Sequence, residues 1–177
     1  HQNGTGDAVR AGLSVLPDDL DGVVVVTYGD VPMLSGATLA ELVAAHEAED
    51  NAVTVLTAVV DDPTGYGRVV RSGGAVERIV EQRDASPDEA VIREINSGIY
   101  VFDAATLREG LSGLTSDNAQ GELYLTDVIG FANAAGRRVG AHRIDDVWQT
   151  EGVNDRVQLA RMSQELNRRI LERWMRE

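Results

Sequence analysis

The sequence predicts an α/β fold of three layers, with helices covering a mostly parallel mixed sheet that carries one inserted β-hairpin. Three observations predict it. Apolar runs of strand character alternate with helical stripes through most of the 177 residues, an order that builds layered sheets. The run "DGVVVVTYGD" is continuously apolar between Gly22 and Gly29 apart from Thr27 and Tyr28, the pattern of a strand buried on both faces, as in parallel sheets. And "GRVVRSGGAVERIV" sets two short β-rich runs around Ser72, Gly73 and Gly74, glycines that a tight hairpin turn needs because it uses positive φ.

The elements follow in order. "GTGDAVRAGLSVL" places Val9, Leu13 and Leu16 at helical spacing, with Pro17 as the stop. After the valine strand, Ser35 caps a helix whose Leu39, Leu42, Val43 and His46 form one stripe, and "AVTVLTAVV" is a second buried strand. Beyond the hairpin, "RDASPDEAVIRE" is polar and reads as a surface loop, and "INSGIYVFDA" is a strand. Asp103 then caps a helix carrying Leu107, Leu111 and Leu114, and "LYLTDVIGFANAAG" is helical through Ile129 and Ala132 up to Gly136. "RRVGAHRI" is a short strand, and Asn154 or Asp155 caps a final helix with Leu159, Met162, Leu166, Ile170 and Trp174 on one face. No repeat, low-complexity tract or linker interrupts the chain, so a single domain is expected.

Composition narrows the function. The hydrophobic share is 43% with 25% charged residues, as in soluble globular proteins, and no apolar run approaches the roughly 20 residues that span a bilayer. The formal charge is −13 and every basic residue is arginine or histidine, since lysine is absent. So acidic a surface repels nucleic acid and anionic lipid, and neither is an expected partner. There is no cysteine and no basic-then-apolar leader, so a cytoplasmic protein without disulfides is expected. His1, His46 and His142 are scattered without zinc spacing, and no GxSxG elbow or thiol nucleophile occurs.

In open α/β sheets ligands gather beyond the carboxyl ends of the strands. Tyr28, Gly29 and Asp30 follow the valine strand directly. Asp30 has two readings: an Asx-turn before Pro32, or a hard carboxylate for Mg²⁺, with Gly29 letting backbone approach a nucleotide. Gly4 and Thr5 precede a helix whose positive end can meet a polar ligand, or they are only a turn. Gly67 in "GYGR" exposes backbone to a ligand or eases entry to the hairpin. Glu81 and Asn96, near element ends, suit sugar hydroxyl and acetamide groups, although on pattern alone Glu81 reads first as a surface charge. Asn154 is a helix cap or an amide-oxygen metal ligand.

Taken together, "GTGDAV", "TYGDVPML", "DDPTGYGRVVR", "RIVEQRDASPDE", "EINSGIYVFDA", "NAQGELYLTDVI" and "EGVNDRVQLA" occur in one order that resembles the uridyltransferase domain of the bifunctional N-acetylglucosamine-1-phosphate uridyltransferase/glucosamine-1-phosphate acetyltransferase family. The resemblance runs from the first residues to the last helix and implies a Rossmann-like nucleotidyltransferase fold. It implies Mg²⁺-dependent transfer of UMP from UTP to N-acetylglucosamine 1-phosphate, giving UDP-N-acetylglucosamine for cell-wall synthesis and pyrophosphate. It makes Asp30 and Asn154 the metal ligands. Gly4, Thr5, Tyr28 and Gly29 would meet the nucleotide, and Gly67, Glu81, Asn96, Tyr124 and Thr126 the sugar. Asp7 departs from the family's "GTGHA", and "GVND" from its "GVNN". The family's opening "LAAGxGTRM…PK" loop, which supplies cations for the triphosphate, does not precede His1, and the acetyltransferase β-helix through which the family forms trimers does not follow the last helix. A partial, N-terminally truncated uridyltransferase domain over residues 1–177 with little turnover of its own is therefore the expectation. A related sugar-1-phosphate nucleotidyltransferase or a non-catalytic sugar-nucleotide-binding module are the alternatives.

Overall fold

The computed structural model describes residues 3–176. His1, one of the three histidines set aside as zinc ligands, lies outside them. The elements are α1 (Thr5–Leu13), β1 (Val23–Val26), α2 (Gly36–Ala48), β2 (Val53–Val59), β3 (Gly67–Ser72), β4 (Ala75–Val80), α3 (Pro87–Ala90), β5 (Glu94–Asp103), α4 (Ala104–Ser112), α5 (Asp127–Ala134), β6 (Val139–Ile144) and α6 (Arg156–Arg176).

The three α/β layers are present. Six strands form one sheet in the order β4-β3-β5-β2-β6, with β1 also paired to β5. Alternate residues of β5 face opposite layers, as the twofold period of a strand dictates. Tyr100 and Phe102 join Val53, Val55, Leu107, Val128 and Ile129 in the core under α4 and α5, whereas Ile99 and Val101 join Leu56 and Leu42 under α2. Truncating a fully buried leucine such as Leu42 would cost about 2–5 kcal/mol.

The expectation of a mostly parallel sheet is corrected. β2 and β6 pair in parallel, but β1, β2 and β3 all pair antiparallel with β5, and β3 with β4. A run of buried apolar residues reports that both faces of a strand are covered; it does not report direction, and here β5 runs against its three neighbours. The valine strand differs too. Val24 and Val26 pack on the core, while Val23 and Val25 are 38% and 40% exposed.

Local chemistry fixes most element ends. Ser35 accepts a hydrogen bond from Thr38 N–H at 3.0 Å and Asp103 one from Thr106 N–H at 2.8 Å, so both helices start where their caps are. The hairpin turns on Gly73 and Gly74 at φ +57° and +90°, a conformation that other residues resist. Two expectations shift. Helix α1 stops at Leu13, not Leu16, because the Ser14 hydroxyl donates back to the Ala11 carbonyl (2.7 Å) and Pro17 keeps Leu16 out of helical geometry. The polar stretch after the hairpin contains the single turn α3, held by a capping box between Ser86 and Glu89.

Helix α6 rests on the domain through Met162 and Glu165. The remainder of its predicted stripe, Leu159, Leu166, Ile170 and Trp174, is exposed. Arg169 anchors it instead, donating to Asp146 at 2.6 and 2.8 Å and to Glu165 at 2.6 Å.

Candidate active site

The site grows out of an irregularity in β5. Between the pairs Val55↔Tyr100 and Thr57↔Asn96, β2 advances two residues while β5 advances four, so β5 bulges over Ser97–Ile99. The Ser97 hydroxyl holds the bulge by donating to the Leu56 carbonyl at 2.7 Å, and Ile99 N–H donates to the same hydroxyl at 3.2 Å. With β2 on one edge of β5, the other edge is shared: β1 pairs with residues 100–103 and β3 with residues 95–96. The end of β1 and the start of β3 therefore face one another across the bulge. Gly98 sits at φ +78°, and a Cβ there would lie 1.8 Å from Tyr28 Cε2. The missing side chain is the seat of the Tyr28 ring.

A cavity of about 390 Å³ opens at this gap. Tyr28, Asp30, Gly67, Glu81, Asn96 and Asn154 all line it. Asp30 and Asn154 come from loops far apart in the chain, and the backbone joins them: Val153 N–H donates to the Asp30 carbonyl at 2.9 Å. The point a Cβ on Gly152 would occupy is 3.6 Å from Asp30 Oδ2 and 3.8 Å from Asn154 Nδ2, so both side chains reach one small volume. The capping alternative for Asn154 falls to its neighbour. Asp155 Oδ1 accepts from Gln158 N–H at 2.8 Å, and Gln158 Oε1 accepts from Asn154 and Asp155 N–H at 2.6 and 3.2 Å. That reciprocal arrangement caps α6 and leaves the Asn154 side chain for the cavity.

A carboxylate and an amide oxygen are hard donors of the kind Mg²⁺ accepts, and that ion commonly completes its shell with water and substrate phosphate. The residues present fit it. Among the described residues no group of three His, Cys, Asp or Glu could hold a metal by itself, so such an ion would depend on ligand oxygens. No arginine or histidine among the described residues lines the cavity, while two acids, Asp30 and Glu81, do. The cavity is thus suited to neutral polar groups and to phosphate accompanied by a cation.

Burial pushes the Glu81 carboxyl above its usual range; the Thr126 hydroxyl, donating to it at 3.2 Å, works the other way, and Asp127 and Asp84 add to the rise. Thr126 thus reaches the site through Glu81. Tyr124 is turned elsewhere: its hydroxyl donates to Asp84 at 3.1 Å and accepts from Gln120 at 2.8 Å. Gly4, Thr5 and Gly29 are not among the cavity's lining residues. The Thr5 hydroxyl accepts from Leu125 N–H at 3.0 Å and a Cβ on Gly4 would meet the Leu123 carbonyl at 2.6 Å, so these two dock α1 against the segment before α5.

Sequence reasoning missed Tyr66, Gly98 and Arg68. Arg68 is 2% exposed. Its guanidinium donates to the Tyr66 and Ala90 carbonyls and to Gln82 Oε1, which also accepts from Gly65 N–H at 3.0 Å. A buried cation is costly unless its N–H groups are all met, and here they are spent on the wall of the cavity. A flag was available in "GYGR", where an arginine follows directly on a strand start. A larger concavity of about 830 Å³ lies at the opposite end of the sheet, lined by His46, Asn51, Asp103, Arg137 and Arg138 among others. Its arginines are already paired, Arg137 with Glu109 and Arg138 with Glu49.

Comparison with known proteins shows the family and the fold. The sequence profile of the nucleotidyl transferase family matches residues 1–157, and the chain belongs to that family. It is 64% identical to the bifunctional protein GlmU of Cutibacterium acnes, over 99% of this chain and 43% of that protein. It is 62% identical to the bifunctional protein GlmU of Pseudarthrobacter chlorophenolicus, over 98% and 36%. The chain thus spans about two fifths of the curated relatives it matches. Among solved structures, a Bacillus anthracis protein described as a glucose-1-phosphate thymidylyltransferase, in complex with sucrose, superposes with a TM-score of 0.65 at 22% identity over 91% of this chain and 60% of that one. A UDP-glucose pyrophosphorylase complexed with UDP-glucose gives 0.64 at 17% over 82% and 55%. Both share the fold.

Proposed function

We propose that this chain forms the part of a cytoplasmic uridyltransferase that binds the sugar nucleotide, in the Mg²⁺-dependent transfer of UMP from UTP to N-acetylglucosamine 1-phosphate. The observation that carries the reading is the meeting of Asp30 and Asn154, 124 positions apart, in the cavity that Glu81 and Asn96 also line. In the reaction a phosphate oxygen of the sugar phosphate attacks the α-phosphorus of UTP. A new P–O bond forms, the bond to the β-phosphate oxygen breaks, and pyrophosphate leaves as UDP-N-acetylglucosamine is made. No covalent enzyme intermediate is needed.

Asp30 and Asn154 would hold Mg²⁺, which when bound supplies positive charge beside the reacting phosphates. Tyr28, fixed on Gly98, walls the cavity next to Asp30 and limits how a nucleotide can lie. Glu81 accepts from hydroxyl groups of the sugar, and its burial sharpens that preference because an unmet carboxylate there is costly. The Gly67 backbone comes close to the sugar because nothing projects from it. Thr126 contributes through Glu81, and Gly4 and Thr5 seat α1 against the segment before α5; Gly4, Thr5 and Gly29 would meet the nucleotide, and Tyr124 would border the sugar. In a longer protein of this type, trimerisation would fall to segments other than this one.

Titration of the protein with UDP-N-acetylglucosamine in the presence and absence of Mg²⁺ tests the proposal. Binding should require the ion, and Asp30→Asn should abolish the Mg²⁺ dependence. Equal binding of dTDP-glucose would favour a relative acting on a different sugar phosphate. Binding unchanged in Asp30→Asn would remove Asp30 from the site.

A further inference from the structure

Asn96 and Tyr100 lie four residues apart on β5, a separation of about 13 Å in a regular strand. The bulge over Ser97–Ile99 shortens that path, and the Tyr100 hydroxyl donates to Asn96 Oδ1 at 2.8 Å. Gly98 N–H donates to the same oxygen at 2.9 Å. An amide oxygen has two lone pairs, and both are now occupied. The backbone N–H can only donate, so it sets which end of the amide turns inward. The hydroxyl then locks the plane of the amide. Asn96 Nδ2 is left on the other side, and Asn96 lines the cavity.

We propose that Tyr100 is a positioning residue for ligand recognition: by holding Asn96 Oδ1 inward, it presents the Asn96 NH₂ group to the cavity as a donor for an acceptor oxygen of the bound sugar. This rests on the sugar-nucleotide reading above. Tyr100 itself is 1% exposed and is not among the residues that line the cavity. Its surroundings keep it in the donating form, since burial and the nearby Tyr28 and Glu81 push its phenol well above the ordinary value. An asparagine so held discriminates in one direction only. It rewards hydroxyl or carbonyl oxygens and rejects a group that can only donate.

Tyr100→Phe removes the hydroxyl and keeps the ring that stacks beside Phe102. The test is a double-mutant cycle with Asn96→Ala, read by calorimetric titration with UDP-N-acetylglucosamine and Mg²⁺, with the Tm of each variant measured alongside. Tyr100→Phe should weaken binding by about 3- to 10-fold in the parent, the effect of one hydrogen bond, and by less than about 2-fold in the Asn96→Ala background. Equal loss in both backgrounds, or none in the parent, would overturn the proposal. A ligand-free arm separates it from the functional reading. In protein labelled with ¹⁵N-asparagine, Tyr100→Phe should move or broaden the Asn96 side-chain NH₂ resonances. If they stay in place, Tyr100 does not position Asn96, and the proposal fails whatever the protein binds. If they move but the parent does not bind the sugar nucleotide, it is the choice of ligand that fails.

Discussion

Replacing Gly98 by alanine should unseat Tyr28, and the cost can be worked from two separate features. Gly98 has φ +78°, and placing an L side chain in the left-handed region costs about 1–2 kcal/mol. The new Cβ would also lie 1.8 Å from Tyr28 Cε2, so the ring must leave its seat, a rearrangement of the overpacking kind worth about 1–3 kcal/mol. Together these give about 2–5 kcal/mol, or a fall in Tm on the order of 10 °C for a domain of this size. The two parts separate in a Tyr28→Ala background, where the clash is gone and only the backbone term of about 1–2 kcal/mol remains. Thermal and urea denaturation of the four proteins measure the cycle. A Gly98→Ala penalty that is the same with and without the Tyr28 ring would show that the ring does not rest on the bulge, and the shape given to the cavity wall would be wrong.

Three further outcomes are expected. Gly152 has no left-handed backbone, so Gly152→Leu should fold with a Tm close to the parent's, yet its side chain would fill the space between Asp30 and Asn154 and weaken Mg²⁺-dependent ligand binding by at least about tenfold in titration. Glu81 is raised by burial, so between the ordinary carboxylate range and its raised value the folded protein holds a proton that the unfolded chain has lost. Stability should therefore fall as pH rises through that window, and Glu81→Gln, compared by denaturation across pH 4–8, should flatten the dependence. Glu165 behaves oppositely: Arg168 and Arg169 hold it down to about 2 from an ordinary value of 4.5. Its contribution is present above the ordinary value and lost as pH falls toward 2, so the protection of α6 amides against hydrogen exchange, relative to the intrinsic rate at each pH, should fall over that interval in the parent and change little in Glu165→Gln.

What the sequence made legible was local chemistry. Ser35 and Asp103 announced helix starts because a short side-chain oxygen reaches an N–H three residues on, and Ser72-Gly73-Gly74 announced a turn because few other residues accept its φ values. Uninterrupted apolar runs such as "AVTVLTAVV" located the buried strands, because a strand covered on both faces hides nearly every residue. Strand direction was not legible, since Val53 and Ile99 are equally buried in sheets of either sense. Half of the valine run proved exposed because burial of β1 depends on what lies over its far face. Asp30 and Asn154, the proposed donor pair, could be named from resemblance, but each had an adequate local explanation, and it took the third dimension to hand the capping role to Asp155. Gly98 and Tyr100 were invisible to pattern reading. Their roles depend on the extra residues in β5, and nothing in "INSGIYVFDA" distinguishes a bulged strand from a straight one.

The hydrogen bond from Val153 N–H to the Asp30 carbonyl, 2.9 Å long, closes a loop of well over a hundred residues. A contact of such high sequence separation must repay the loop-closure entropy of the chain between its ends, a cost that falls once the intervening elements have packed. An ion gripped by the side chains on either side of it would consequently be captured last during refolding. Its recovery would time the completion of the whole topology, and a fault anywhere between the two loops would be felt as lost affinity before it was seen as lost structure.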